Sequence, residues 1–236
     1  MAARLGRVDE RHHCIEVALM RVGAVADLHG LLPTIPACDV LVIAGDVCPN
    51  EDHGEAFQAR WLEREFARWL AGLAGLGVGR IVGIAGNHDF VFQRAPQSVP
   101  RGLEWTYLQD GGVTIDRVRF WGSPWTPWFY DWAFNAPRGE EGERFLQATY
   151  SAAEEADVLV VHGPPTGYGD LTTRGVSAGS SALLAAIDRI EPALALYGHI
   201  HEGRGRWRRG TSELANVAAV DEHYAPVDEP VVVFDL

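Results

Sequence analysis

Asn87, His88 and Asp89 stand side by side directly after the apolar run "RIVGIAG" (80–86). A turn at a strand end uses a glycine and sometimes an amide; it has no need of an amide, an imidazole and a carboxylate in succession. The same placement recurs along the chain. Asp27 and His29 follow "MRVGAV" (20–25), Asp46 follows "DVLVIAG" (39–45), His162 follows "DVLVV" (157–161), and His199 and His201 follow "LALYG" (194–198). Imidazole nitrogens with Asp and Asn oxygens, and no cysteine among them, suit borderline divalent ions such as Mn, Fe or Zn. A carboxylate such as Asp46 can bridge two such ions, which two-metal sites hold about 3.5–4 Å apart. In "DLH" and "HIH" one apolar residue separates two polar ones. In extended backbone both polar side chains then project to the same side, and one short segment offers a pair of ligands.

Each motif alone has an ordinary explanation. "DLHG" and "GD" after a strand are turn sequences, and a surface histidine pair would account for "GHIH". All of them together, in order and each at the end of an apolar run, exceed what turns require.

The elements that must position these residues are visible in the same pattern. Short Val- and Ile-rich runs, apolar almost throughout and ending in glycine, suit strands buried on both faces of a sheet. Between them, "EAFQARWLEREFARWLAGL" (55–73) reads as an amphipathic helix with Phe57, Trp61, Phe66, Trp69, Leu70 and Leu73 near one face. Weaker helical patterns cover 142–156 and 180–190, hairpin-like alternation covers 112–124 and 203–217, and "PVVVFDL" closes the chain as a strand. Alternating strands and helices imply α/β layers around a mixed sheet, where functional groups gather at the carboxyl ends of strands. A chain of 236 residues without a repeat or linker is expected to form one domain over 16–236, after a loose polar stretch at 1–15.

Composition excludes several classes. A net charge of −12 argues against a nucleic-acid polymer or an anionic membrane as partner, since both call for a basic face. The sequence contains no lysine, so Schiff-base and P-loop chemistry are excluded. Cys14, Cys38 and Cys48 are odd in number and form no Cys-x-x-Cys pair, which fits a reducing compartment. No stretch is long and apolar enough for a membrane span, and the first residues lack the apolar centre of a signal peptide, so a cytoplasmic protein is expected.

The motifs "DLH" (27–29), "GD" (45–46), "GNHD" (86–89), "HGPP" (162–165) and "GHIH" (198–201) together resemble the calcineurin-like metallophosphoesterase superfamily. "SPWTPWFYDWAFNAPRG" (123–139), "HGPPTGYGD" (162–170) and "HIHEGRG" (199–205) resemble its branch of metallophosphoesterase-domain-containing proteins, related to class III cyclic nucleotide phosphodiesterases. The resemblance implies a four-layer α/β-β/α metallophosphoesterase sandwich with mixed sheets. It implies two divalent ions: Asp27, His29 and His201 would hold the first, Asn87, His162 and His199 the second, with Asp46 bridging. His88 would act on the leaving oxygen or the phosphoryl charge, with Asp89 orienting it. The implied reaction is hydrolysis of cyclic nucleotides or similar small phosphodiesters by in-line attack of a hydroxide held between the ions. A phosphomonoesterase, a phosphoprotein phosphatase and a nucleotide-binding scaffold without catalysis are the alternatives.

For substrate contacts the sequence offers Trp125 and Trp128 in an aromatic loop that could stack a base, and Arg204 just past His201. The remaining rings of that loop, Phe129, Tyr130, Trp132 and Phe134, read as cover for a sheet edge. His12, His13, His53 and His223 match no motif and read as surface residues, and Cys48 as a half-buried small residue.

Overall fold

The computed structural model describes residues 19–236. Strands β1 (Arg21–Val25), β2 (Cys38–Ala44), β3 (Val78–Ile84) and β4 (Thr106–Tyr107) lie parallel in one sheet. Strands β5 (Gly111–Ile115), β6 (Val118–Ser123), β7 (Val158–Val161), β8 (Leu194–Tyr197), β9 (Gly205–Arg209) and β10 (Ser212–Asn216) form a second sheet in the order β5-β6-β7-β8-β10-β9. Its four inner strands are parallel and its two edges antiparallel. The last strand, β11 (Val232–Asp235), returns to the first sheet and pairs antiparallel with β1.

The apolar runs are nearly continuous because both faces of each inner strand are covered. Val22, Ala24, Val42 and Ile84 point to the middle and meet Phe120, Val160, Leu196 and Ala215 of the second sheet. The alternate residues Leu41 and Ile43 point outward and meet Leu62, Phe66 and Leu70 of the helical segment 55–73. On the far side, Leu159, Val161 and Tyr197 pack against Leu146 and Tyr150 of α4 (Glu140–Ser151) and Leu183 and Ile187 of α5 (Ser181–Ile190), numbered after the helices of the first layer. The result is helix, sheet, sheet and helix, the expected four layers.

That first layer holds α1 (Glu55–Trp61), a π-helical stretch over Leu62–Phe66, α2 (Ala67–Leu73) and the short α3 (Phe90–Arg94). The expected single helix over 55–73 is therefore helical throughout but widened in the middle. Its buried stripe is Gln58, Leu62, Phe66, Leu70 and Leu73, while Trp61 and Trp69 are only partly covered and stack on either side of Phe66. Helix α4 begins two residues earlier than expected, at Glu140, and ends at Ser151. Gly139 before it takes φ of 66°, and Glu140, Glu141 and Glu143 place negative charge at the positive end of the helix dipole.

Cys48 is fully buried rather than half-buried, and Cys38 is buried with it. Cys14, His12, His13 and the expected loose stretch 1–15 lie outside the described residues. No described helix is long and apolar enough to cross a membrane.

Candidate metal centre

The loops that leave β1, β2, β3, β7 and β8 converge at one end of the sandwich. Backbone bonds lace the first two together: Asp27 N–H donates to the Gly45 carbonyl at 3.0 Å and His29 N–H to the Asp46 carbonyl at 2.8 Å. Asp27, His29, Asp46 and His199 all take positive φ, at 54°, 43°, 53° and 70°. Such backbone costs a non-glycine residue of order 1 kcal/mol and clusters where function demands it. The expected same-side projection of "DLH" in extended backbone is corrected accordingly: a left-handed turn brings Asp27 and His29 together. The flanking glycines are needed for space as well as conformation. A Cβ at Gly198 would collide with the Asp27 carboxylate, and one at Gly45, whose φ is 97°, would lie 2.5 Å from the His162 ring.

Ligand atoms lie within 4.8 Å of one another in each of three groups, Asp27, His29 and His201, then Asp27, Asp46 and His162, then His29, Asp46 and His88, so the carboxylates link the groups. His29 Nε2 is 3.2 Å from His201 Nε2 and 3.7 Å from Asp46 Oδ2. His162 Nε2 is 2.8 Å from Asn87 Oδ1 and 3.3 Å from Asp46 Oδ2, and His199 Nδ1 is 2.6 Å from the same Asn87 oxygen.

The hydrogen bonds behind these atoms test whether a cation fits. His201 Nδ1 lies 3.1 Å from the Asp221 carbonyl and His162 Nδ1 3.0 Å from the Ala44 carbonyl. His29 Nδ1 lies 3.0 Å from Asn50 Oδ1. A carbonyl oxygen only accepts, so Nδ1 carries the proton in each ring and Nε2 turns a lone pair inward. Lone pairs held this close to one another and to carboxylate oxygens call for positive charge between them. The electrostatics agree. Burial resists ionisation of Asp27 and Asp46, yet the neighbouring histidines hold both below the ordinary carboxylate value. Burial likewise resists charging of His162, but Asp46 and Asp27 outweigh it and raise the ring to about 9, so Nε2 takes up a proton wherever no other cation engages its lone pair. The donor set therefore fits divalent ions.

His88 stands beside this cluster. Its backbone N–H donates to Asp46 Oδ1 at 2.7 Å, its Nε2 is 4.0 Å from Asp46 Oδ2, and its ring packs against Trp132 at 3.9 Å between centroids. Burial lowers its pKa to about 3, so the ring is neutral. Asp89 does not orient that ring, contrary to expectation. Its buried carboxylate accepts from the N–H groups of Gly86, Val47 and Cys48 at 2.8, 3.1 and 2.8 Å, which ties the β2 and β3 loops together. Burial and then Asp46 raise its pKa to about 6.

The structure does not bring two of the expected substrate contacts to the cluster. Trp125 donates its indole N–H to Asp110 at 2.9 Å and packs against Phe134 and Phe145. The Arg204 guanidinium is satisfied by the carbonyls of Ala218 and Glu229. Trp128 is partly exposed in a cleft next to the cluster. His223 is exposed, but His53 is not the surface residue its isolation implied: its ring lies 5.3 Å from those of His88 and Trp132 and its Nε2 is buried. A small pocket of about 170 Å³ opens over the cluster. Phe129, Trp132 and Tyr224 line it with Glu202 and Glu222, and among the described residues no arginine does. The Tyr224 ring lies edge-on to those of His29 and His201 at 4.9 and 5.1 Å. Tyr224 stands four residues past the apolar stretch "VAAV" (217–220), in no motif that marks it, and Asn50 stands four residues past Asp46 in the loop between β2 and α1.

The calcineurin-like phosphoesterase family model matches residues 20–203. Metallophosphoesterase domain-containing protein 1 of Homo sapiens is 32% identical over 241 residues, covering 90% of this chain and 70% of that protein. The UPF0046 protein K07C11.7 of Caenorhabditis elegans is 30% identical over 232 residues, covering 91% and 75%. Among solved structures, the phosphopantetheinyl hydrolase of Mycobacterium tuberculosis superposes with a TM-score of 0.57 at 15% identity, covering 92% and 96%, a likeness of fold.

Proposed function

The chain belongs to the calcineurin-like phosphoesterase family, and from that premise we propose that it is a phosphodiesterase, using two divalent ions to hydrolyse small diesters such as cyclic nucleotides. Asp27, His29 and His201 would hold one ion and Asn87, His162 and His199 the other, with Asp46 available to both. Mn, Fe and Zn all suit this nitrogen and oxygen set. When bound, two such ions neutralise phosphoryl charge and make water acidic enough to attack at neutral pH.

The chain's own groups do the rest. Asn87 and Asp46 fix the position of the cluster against the β3 loop, the latter through the His88 N–H at 2.7 Å. The neutral His88 ring gives a hydrogen bond to the departing oxygen as charge develops there. Asp89 keeps the loop that carries both Asn87 and His88 from shifting. Phe129, Trp132 and Tyr224 reduce the water around the reacting phosphorus.

The observation that carries the diester reading is the mouth of the site. Among the described residues it presents Glu202 and Glu222 and no arginine. A diester bears one negative charge and a monoester up to two, so a carboxylate-rimmed mouth repels the monoester more. The test compares bis(p-nitrophenyl) phosphate with p-nitrophenyl phosphate on protein stripped of metal and reloaded with Mn²⁺. Diester turnover at least tenfold above monoester turnover is expected; the reverse order would make the protein a phosphomonoesterase.

A further inference from the structure

Beside the metal cluster, and sharing Phe129 and His199 with its pocket, lies a larger cleft of about 540 Å³, within the size range of small-molecule sites. One wall is the loop 127–130 and the other the loop 172–179, with Ile200 at the base. Large apolar side chains that elsewhere would be buried stand exposed on these two walls: Trp128, Phe129 and Val176. Apolar and aromatic side chains facing into a concave cleft with a few polar groups are the usual lining of a small-molecule site.

Both walls are held in shape. The Asn135 side chain bonds the backbone of Phe129, Tyr130 and Trp132, with its amide 2.8 Å from the Tyr130 carbonyl. The Arg138 guanidinium covers one face of the Trp128 ring at 3.6 Å, which pins the ring and leaves its other face for an occupant. Across the cleft, the Ala178 N–H bonds the Asp170 carbonyl at 2.9 Å and the Thr172 hydroxyl joins Val176 at 3.1 Å. A rigid platform costs little entropy when it is occupied.

We propose that this cleft is the subsite for the ester arm that stays on phosphorus, and that it selects a flat, apolar arm. The assignment rests on the phosphodiesterase reading above. The cleft touches His199 but not His88, so the arm it holds is not the one whose oxygen His88 assists. Among the described residues Arg174 is the one Asp, Glu or Arg that lines it, whereas Glu202 and Glu222 border the neighbouring pocket. An arm carrying a further phosphate on the cluster side would therefore meet carboxylates.

The test uses bis(p-nitrophenyl) phosphate and methyl p-nitrophenyl phosphate, which release the same p-nitrophenolate and differ only in the retained arm. The Mn²⁺-loaded protein is compared with Trp128→Ala and, on the opposite and exposed wall, Val176→Asp. Each variant is expected to lower kcat/KM for the bis-aryl ester about tenfold or more relative to the methyl ester, through KM. Equal losses on the two esters, or no loss in either variant, overturn the arm assignment while leaving the phosphodiesterase reading intact. Absence of turnover on both esters in the unaltered protein overturns that reading, and the arm assignment with it.

Discussion

His88 separates holding the ions from acting on the ester. Its side chain lies outside the proposed ligand set, and its Nε2 stands 4.0 Å from Asp46 Oδ2. Replacing it by alanine is expected to leave ion content unchanged and to lower kcat about 10²-fold on a dialkyl phosphate, whose alkoxide leaves poorly without a hydrogen bond. The loss should be smaller on p-nitrophenyl esters, because p-nitrophenolate leaves unaided. Parallel measurement of bound ion and of turnover on the two ester types checks this. At this scale the candidate donors were legible, since a histidine or aspartate directly after an apolar run is visible in the sequence. Asp89 was not, because its partners are the backbone N–H groups of Gly86, Val47 and Cys48, which no side-chain pattern records. Tyr224 and His53 come to the cluster through tertiary folding alone.

Between elements, Gln58 shows how the site is fastened to its scaffold. It begins the buried stripe of the first helical segment, donates to the His88 carbonyl at 2.7 Å and accepts from Val91 N–H at 2.9 Å. Gln58→Leu keeps the volume and leaves two buried backbone groups unpaired, each worth about 1–3 kcal/mol. Denaturant unfolding is expected to register a loss of about 2–4 kcal/mol. Asp157, at the start of β7, binds the Arg119 guanidinium through both carboxylate oxygens at 2.9 and 3.0 Å and the Arg119 N–H at 2.8 Å. These bonds hold its pKa below the ordinary 3.8, so the ionised form favours the folded state. The contribution is complete above 3.8 and is lost as pH falls through the lower folded value. The pair is solvent-exposed and screened, so its effect is small: Asp157→Ala should lower the thermal midpoint slightly near neutral pH and cease to matter in strong acid. The inner strands β1, β2, β3, β7 and β8 were legible to within a few residues because both of their faces are buried. The two-residue β4, exposed or only half-buried, left no apolar run to read. The π stretch at Leu62–Phe66 was not legible either, because its residues fit the same amphipathic pattern as the α-helical turns on either side.

Across the whole molecule, the proposed ions join the two sheets. Asp27, His29, Asp46 and Asn87 follow strands of the first sheet, and His162, His199 and His201 follow strands of the second. Each proposed ion takes ligands from both. Ions at about a hundredfold over their dissociation constant stabilise a fold by about 2.7 kcal/mol per site, so chelation is expected to lower the thermal midpoint by at least about 5 °C. An unchanged midpoint after complete removal would mean that the sheets are not joined in this way. The layered architecture could be read from apolar runs alternating with helices. The left-handed turns that bring Asp27, His29, Asp46 and His199 inward could not, since backbone conformation at polar residues leaves no periodic trace.

The most direct test of a two-ion phosphodiesterase is a titration of metal-stripped protein with Mn²⁺, read as turnover of bis(p-nitrophenyl) phosphate. Turnover should be absent at the start and saturate at two equivalents of ion per chain. Undiminished turnover in the stripped protein, or none with two ions bound, would contradict the account.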